Sequence, residues 1–444
     1  VRRFLRHPVR LVPVGFLVAI LIGTGLLMWP QMTTLHQRPP FLTAMFTATS
    51  AISVTGLTVV DTPNYWSTTG LVVITVLTQL GGLGILTGAA LVILTVSRRL
   101  GLHNRMLVQA ETLEYGLGNL RRLLLHIAAT VLACEAAMTV VVAGRLWLGY
   151  DYPPGHALWS AGFHAVQAFN NSGFSLYSDG LLAFSRDPWV SLPLAFGSIV
   201  GGLGFPALFE AVRQWRRPDR WAVATKLTIW GSATLVVVGA VLFLLIEWAN
   251  PWTIGQYAAP DKVLAAFTQI ALSRTGGIEV VPTNVLREES YPLLIGLMFV
   301  GGGSASTAGG IKVSTFFLLA FVMWAEIRGE PDVTVGHRRV ATASQRQALT
   351  VALLSVAIIA GGTTLLIAVT NHVPLYAVLF EVTSAFSTTG LSVGVTSALS
   401  DGGHLLLAAL MYIGRVGPLT LGSAIALNTR RRLYRYPEEQ PIVG

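Results

Sequence analysis

The sequence predicts an all-α integral membrane protein of four tandem helix–re-entrant loop–helix repeats, giving eight spans around one central pore with both termini cytoplasmic. Three observations predict it. The 444 residues are 53% hydrophobic and 11% charged, less than half the charged fraction of about 25% in an ordinary soluble domain. Uncharged runs at 11–37, 71–97, 188–209, 227–246, 291–311 and 347–380 each reach the roughly 20 residues that a bilayer span needs. A short glycine pattern recurs four times at near-constant spacing.

The four copies are Ser53-Val-Thr-Gly56-Leu, Asn170-Asn-Ser-Gly173-Phe, Ser273-Arg-Thr-Gly276-Gly and Ser387-Thr-Thr-Gly390-Leu, whose aligned glycines are 117, 103 and 114 residues apart. A phenylalanine lies ten residues before the glycine in three copies (Phe46, Phe163, Phe380) and nine before it in the third (Phe267). A second glycine element follows in every copy: Gly81-Gly-Leu-Gly84, Gly201-Gly-Leu-Gly204, Gly301-Gly-Gly303 and Gly414-Arg-Val-Gly417, beginning 25, 28, 25 and 24 residues downstream. Two independent elements at matching offsets define a repeat. The expected boundaries are 1–110, 111–220, 221–335 (with a glycine-rich loop inside the membrane) and 336–444 (with a basic cytoplasmic tail).

Each element follows from this register. The first copy reads as a span at 11–30, a half-helix at 41–53 and a span at 68–97; the second as 122–149, 155–170 and 188–213. The third reads as 226–249, 260–273 and 291–325, and the fourth as 347–371, 374–387 and 403–429. The basic N-terminal run leads into a full span without a small-residue cleavage site, so it reads as a retained first helix. Small residues over 301–310 cannot hold a helix against lipid, since glycine costs about 1 kcal/mol per helical position. That stretch reads as irregular chain inside the bilayer.

Charge sets the orientation. Of 30 basic residues, 22 lie in the N-terminus (Arg2, Arg3, Arg6, Arg10), the segments 97–122, 213–226 and 326–346, and the tail (Arg430, Arg431, Arg432, Arg435). The segments carrying the glycine loops hold five: Arg38, Arg186, Lys262, Arg274 and Arg287. The positive-inside rule then puts the termini in the cytoplasm and the loops outside, as expected for an inner-membrane, multi-pass protein.

Other classes fall away. The net charge of +9 follows topology rather than a nucleic-acid-binding face. A single cysteine, Cys134, allows no disulfide framework, and nine scattered histidines show no zinc spacing. A Walker A loop needs GxxxxGK[ST]; here Ile311 separates Gly310 from Lys312 and Val313 follows. No catalytic cluster and no organic cofactor site is expected.

Chain without regular helix at membrane depth must be buried or must line an aqueous path. Half-helices entering from outside would aim their partly negative C-terminal ends at an axis, and the x-x-Thr/Ser-Gly carbonyls could replace a cation's water shell. With this register the segments SVTGLTVVDT, NNSGFSL, SRTGG and STTGLS, together with GGGSASTAGGIK (301–312) and GRVGPLT (414–420), resemble the Trk/Ktr/HKT superfamily of cation transporters over essentially the whole chain, and most closely its bacterial Ktr-type potassium-transporter membrane subunits.

The resemblance implies a potassium filter at Val54, Thr55, Gly56 and Leu57; Asn171, Ser172, Gly173 and Phe174; Arg274, Thr275, Gly276 and Gly277; and Thr388, Thr389, Gly390 and Leu391. It implies a gate made of Gly301, Gly302, Gly303, Ser304, Ala305, Ser306, Thr307, Ala308, Gly309, Gly310 and Lys312. Glycine in every filter goes with potassium, while serine in the first goes with sodium; a sodium-selective or non-selective transporter of the same fold is the alternative. The transported potassium ion is the implied cofactor, with sodium as an activating or coupled ion. Implied partners are membrane lipid, a second copy of the chain and a cytoplasmic ring of nucleotide-binding regulatory subunits.

Several residues carry two readings. Arg415, interrupting an uncharged run, either pins two helices through loop carbonyls or forms a positive barrier in the pore, the role the resemblance favours. Glu279 and Asp61 either concentrate cations at the mouth or are merely solvated. Glu135 reads as a structural pair. Thr55, Ser172, Thr275 and Thr389 either brace the loop or offer an ion ligand. Trp147, Trp159, Trp189, Trp248 and Trp252 fall near outer span ends, as an interfacial belt does.

Overall fold

In the computed structural model, residues 8–99, 120–370 and 373–427 are described. Arg2, Arg3 and Arg6, most of the basic segment 97–122 and the tail arginines Arg430 to Arg435 lie outside them. Four groups of helices follow one another. The first is Pro8–Leu27, Phe41–Ser53 and Thr68–Arg99; the second Leu120–Gly149, Pro154–Asn170, Pro188–Leu203 and Phe205–Arg213. The third is Val223–Glu247, Ala259–Ser273, Ser290–Phe299 and Val313–Ile327; the fourth Thr342–Val369, Leu375–Phe386 and Asp401–Leu427. A two-residue hairpin, Thr334–Val335 against Arg338–Arg339, joins the third group to the fourth.

The short second helix of each group starts at proline. Pro40, Pro153 and Pro374 stand at the N-caps and Pro260 in the first turn of the third, where the fixed φ suits a helix start and the missing N–H costs nothing. Three of the four end on a left-handed residue, Val54 (φ 56°), Asn171 (φ 62°) and Thr388 (φ 50°). Two of these are β-branched, for which that conformation is strained, so the surrounding packing must impose it.

Packing closes the four groups into a ring. One buried cluster joins the first and second groups through Ile52, Ile74, Phe163 and Phe174. A second joins the second and third through Leu146, Leu194, Leu272 and Ile278. The third and fourth meet at Leu294, Met298, Phe380 and Leu391, and the fourth and first at Leu407, Met411, Phe46 and Leu57. The residue after the turn of each half-helix thus enters a core shared with the preceding group, and the first group's residue enters the fourth's. Four interfaces of this kind close on a single axis. Outside them the long helices expose Leu132, Val140, Val237, Leu245, Leu353 and Leu365, as lipid-facing surfaces do.

Among the described residues, Leu123–Gly149, Val223–Glu247 and Thr342–Val369 are long and apolar enough to cross a membrane, or four helices if the bent pair Pro188–Leu203 and Phe205–Arg213 is one span. The expected continuous helix at 188–213 is instead broken at Gly204, with a bend of 101°. Gly204 has φ +84°, and Pro206 opens the new helix. The expected interruption within 291–325 falls between Phe299 and Val313, where Val300 pairs with Ile311.

Candidate ion-pathway site

The glycine segments of all four groups meet at the axis. A Cβ on Gly56 would fall on the Gly173 backbone, one on Gly277 on the Thr389 carbonyl, and one on Gly390 on the Thr55 carbonyl, all far inside contact distance. Gly173 N donates to Thr55 O at 3.3 Å, and its own Cβ would lie 2.8 Å from Gly277 O. Only glycine lets backbone approach backbone this closely.

The third copy corrects the sequence alignment. Gly276, taken above as the equivalent glycine, faces away from the axis: its Cβ would meet Ser198 Oγ at 2.9 Å and Leu272 O at 3.0 Å. Gly277 occupies the ring, and two further features share this register. The following residues Leu57, Phe174, Ile278 and Leu391 hold matching places in the four shared cores. Three residues after the ring glycine, Leu176 N, Val280 N and Val393 N donate to His164 Nε2, Gln269 Oε1 and Glu381 Oε1 at 3.4, 2.9 and 3.0 Å. Counted from Gly277, Phe267 also lies ten residues upstream, as in the other copies.

Side chains around the ring brace it. Ser50 Oγ accepts from Gly56 N at 2.9 Å, and Ser384 Oγ from Gly390 N at 3.1 Å. The Thr55 hydroxyl pairs with Ser53 Oγ at 2.7 Å, and Thr275 Oγ1 donates to Asn171 Oδ1 at 2.9 Å. Thr389 Oγ1 donates to Arg274 O at 3.5 Å, so three of the four hydroxyls have scaffold partners, whereas the buried Ser172 Oγ has none. The Arg274 side chain points away from the axis; its Nη2 donates to Gly301 O at 2.9 Å. Glu135, buried, accepts from Asn170 Nδ2 at 3.2 Å, a structural contact to the end of the second half-helix.

The second glycine element admits this geometry. A Cβ on Gly81, Gly201 or Gly414 would fall on the carbonyl of Ile52, Phe169 or Phe386, in each case four residues before the ring glycine. The third copy departs from this rule because Gly301 meets its own loop at Gly309 O. The loop 301–310 lies against the ring: Gly309 packs on Ser387 and Thr388, and Asn171 Nδ2 donates to Thr307 Oγ1 at 2.8 Å. Gly303 N donates to Gly202 O at 2.7 Å. Ser304 is exposed, while Gly301, Gly302, Gly303, Ser306, Thr307, Ala308, Gly309 and Gly310 are buried.

Two cations hold this loop. Lys312 Nζ donates to Ala308 O at 2.6 Å. Arg415, 2% exposed, donates through Nη1 to Thr307 O and through Nη2 to Gly81 O at 3.4 Å. Both contacts are to main-chain oxygens, so carbonyl dipoles hold its positive charge.

At the other end of the ring lie Asp61 and Glu279. Asp61 Oδ2 accepts from Asn64 Nδ2 at 2.5 Å and Ser178 Oγ at 2.8 Å, joining the first and second copies. Glu279 is not simply solvated: it accepts from Thr283 Oγ1 at 2.7 Å, and burial pushes its carboxyl up to about 7. Its main-chain oxygen accepts from Leu181 N at 2.7 Å.

A family model described as "TrkH: Cation transport protein" matches residues 12–428. The chain belongs to the TrkH family of cation transport proteins. It is therefore a multi-pass membrane transport protein and not an enzyme. The chain is 35% identical to the Ktr system potassium uptake protein B of Bacillus subtilis (strain 168), over 98% of this chain and 97% of that one. It is 38% identical to the protein of the same name from Vibrio alginolyticus, over 90% and 88%. The potassium/sodium uptake protein NtpJ of Enterococcus hirae is 30% identical, over 98% and 97%. The fold is that of the potassium transporter TrkH from Vibrio parahaemolyticus, with a TM-score of 0.69 over 94% of this chain and 85% of that one at 18% identity.

Proposed function

We propose that this protein takes up potassium across the cytoplasmic membrane through a filter of four backbone segments, 54–57, 171–174, 275–278 and 388–391. The observation that carries the reading is the ring itself, in which four half-helix ends deliver glycine backbone to one axis with no side chain between. Carbonyls held this way replace a cation's hydration shell, and the half-helix C-termini favour positive charge there. Glycine at all four ring positions supports potassium as the ion, as do the names of the Bacillus and Vibrio relatives. The name of the Enterococcus relative includes sodium, which makes a sodium-conducting transporter the second reading.

The loop 301–312 is the gate in this account. It packs under the second and fourth filter segments, and Arg415 both tethers it and sets a positive barrier beside the path. Conduction requires the loop to leave, and the tether holds it in place. The repeats 1–110, 111–220, 221–335 and 336–444 supply eight spans, counting the interrupted and shorter helices, with the termini on the cytoplasmic side where basic residues concentrate. A second copy beside it in the membrane, and a ring of nucleotide-binding regulators docked on that basic face, would complete the transporter.

Gly390→Ser tests the filter assignment. The added side chain meets the Thr55 carbonyl, so the variant is expected to lose K⁺ over Na⁺ preference in purified, reconstituted protein. Unchanged preference in a folded variant would remove Gly390 from the filter.

A further inference from the structure

We infer that the elbow after the second group is a binding site for an anionic phospholipid headgroup. Helix Phe205–Arg213 turns 101° from Pro188–Leu203, so with the longer helix crossing the bilayer the shorter one runs along its surface. Its inward residues Phe205 and Ala207 are buried, while Val212 at its end and Trp215 just beyond are each 67% exposed. Apolar residues at such a depth, one of them tryptophan, belong at the headgroup boundary.

Beside them the chain forms a basic cavity of about 340 Å³, lined by Arg213, Gln214, Trp215, Arg216, Arg217 and Arg220. The Arg216 guanidinium lies 4.8 Å from the centre of the Trp215 ring. The cradle is held in shape by its own backbone: Arg217 N donates to Gln214 O and Arg220 N to Arg217 O. Buried Trp221 Nε1 closes it on Gln214 O at 3.2 Å.

Positive charge is in excess. Two carboxylates, Glu210 and Asp219, stand near four arginines and Lys226. Glu210 is fixed by Ala222 N at 2.9 Å and Thr225 Oγ1 at 2.5 Å, and Lys226 Nζ donates to the Asp219 main-chain carbonyl. Guanidinium groups suit a phosphate oxygen pair, and the exposed Trp215 and Val212 beside them suit the start of an acyl chain. A free phosphate would use the arginines alone; a lipid uses both parts.

The test reads Trp215 in the full-length protein reconstituted in zwitterionic phosphatidylcholine bilayers carrying a minor fraction of dibrominated phosphatidylglycerol or dibrominated phosphatidylcholine. The difference between wild type and Trp215→Phe isolates that residue's fluorescence. Brominated phosphatidylglycerol is expected to quench it far more than brominated phosphatidylcholine at equal fraction. The triple variant R216Q/R217Q/R220Q should lose that preference by up to about 10²-fold, at roughly fivefold per arginine, while quenching by phosphatidylcholine stays. Should the triple variant not assemble, raised salt on wild type is expected to weaken the preference in the same direction. Equal quenching by both lipids, an unchanged preference in the variant, or a wild-type preference unmoved by salt would overturn the site. Loss of the preference on adding inorganic phosphate would assign the cavity to a free anion, and no quenching by either lipid would assign it to an acidic protein partner; either result overturns the lipid site.

Discussion

Alanine at Gly277 and at Gly276 should have opposite consequences, although the two residues are neighbours in a Thr-Gly-Gly run. At Gly277 the backbone is left-handed, φ +64°, which costs an L-residue about 1–2 kcal/mol. The new Cβ also falls on the Thr389 carbonyl, with Gly173 Cα 2.9 Å away. Backbone on both sides must move, and overpacking of this kind costs about 1–3 kcal/mol more. At Gly276 the φ is not left-handed, and the new Cβ meets Ser198 Oγ at 2.9 Å and Leu272 O at 3.0 Å, so the Ser198 hydroxyl must give up its 2.6 Å bond to Asn171 Oδ1. The expected cost there is about 1–2 kcal/mol, in side-chain hydrogen bonding and not in ring backbone. Displacing the ring by enough to lose about 1.4 kcal/mol of differential ion binding lowers K⁺/Na⁺ preference about tenfold. The assay is K⁺ and Na⁺ uptake into proteoliposomes at matched protein incorporation, with Tm as the control for folding. Gly277→Ala should lose the preference and Gly276→Ala should keep it. A Gly276→Ala protein of normal Tm with lost preference, beside a selective Gly277→Ala protein, would refute the ring register.

Arg415→Ala removes both the tether to Thr307 and Gly81 and the charge beside the path; uptake should rise, while Tm falls through the loss of hydrogen bonds worth roughly 1–3 kcal/mol. Lower uptake by a well-folded Arg415→Ala protein would contradict the barrier. Glu279 is charged above and neutral below about pH 7, so cation uptake should fall as external pH drops through that value. Glu279→Gln should sit at the low level throughout; a variant whose pH profile matches wild type would exclude this carboxylate.

The repeat was legible because it rests on local chemistry: proline starting a half-helix, a phenylalanine at fixed distance and glycine where backbones meet. The third copy was misaligned because its Ser-Arg-Thr-Gly letters fall one place early: counted from the phenylalanine, Arg274 stands where Ser53 does, Thr275 where Val54 does and Gly276 where Thr55 does. The spacing from Phe267 held the correct answer, since counting ten residues reaches Gly277. The elbow at Gly204 was hidden within a continuous apolar run, although Gly-Phe-Pro is a break signal. His164, Gln269 and Glu381 were missed because their partners lie beyond the turn, and which backbone N–H they meet depends on the folded loop. Arg274 reaching Gly301, and Arg415 reaching Thr307, join segments far apart in the chain, which periodicity does not encode.

Uptake of K⁺ and of Na⁺ by the purified wild-type protein in proteoliposomes, each measured with and without the other ion, tests the central claim most directly. The account predicts K⁺ uptake well above Na⁺ uptake when either is offered alone, and K⁺ uptake that persists in the presence of Na⁺. Na⁺ uptake equal to or greater than that of K⁺ would contradict it.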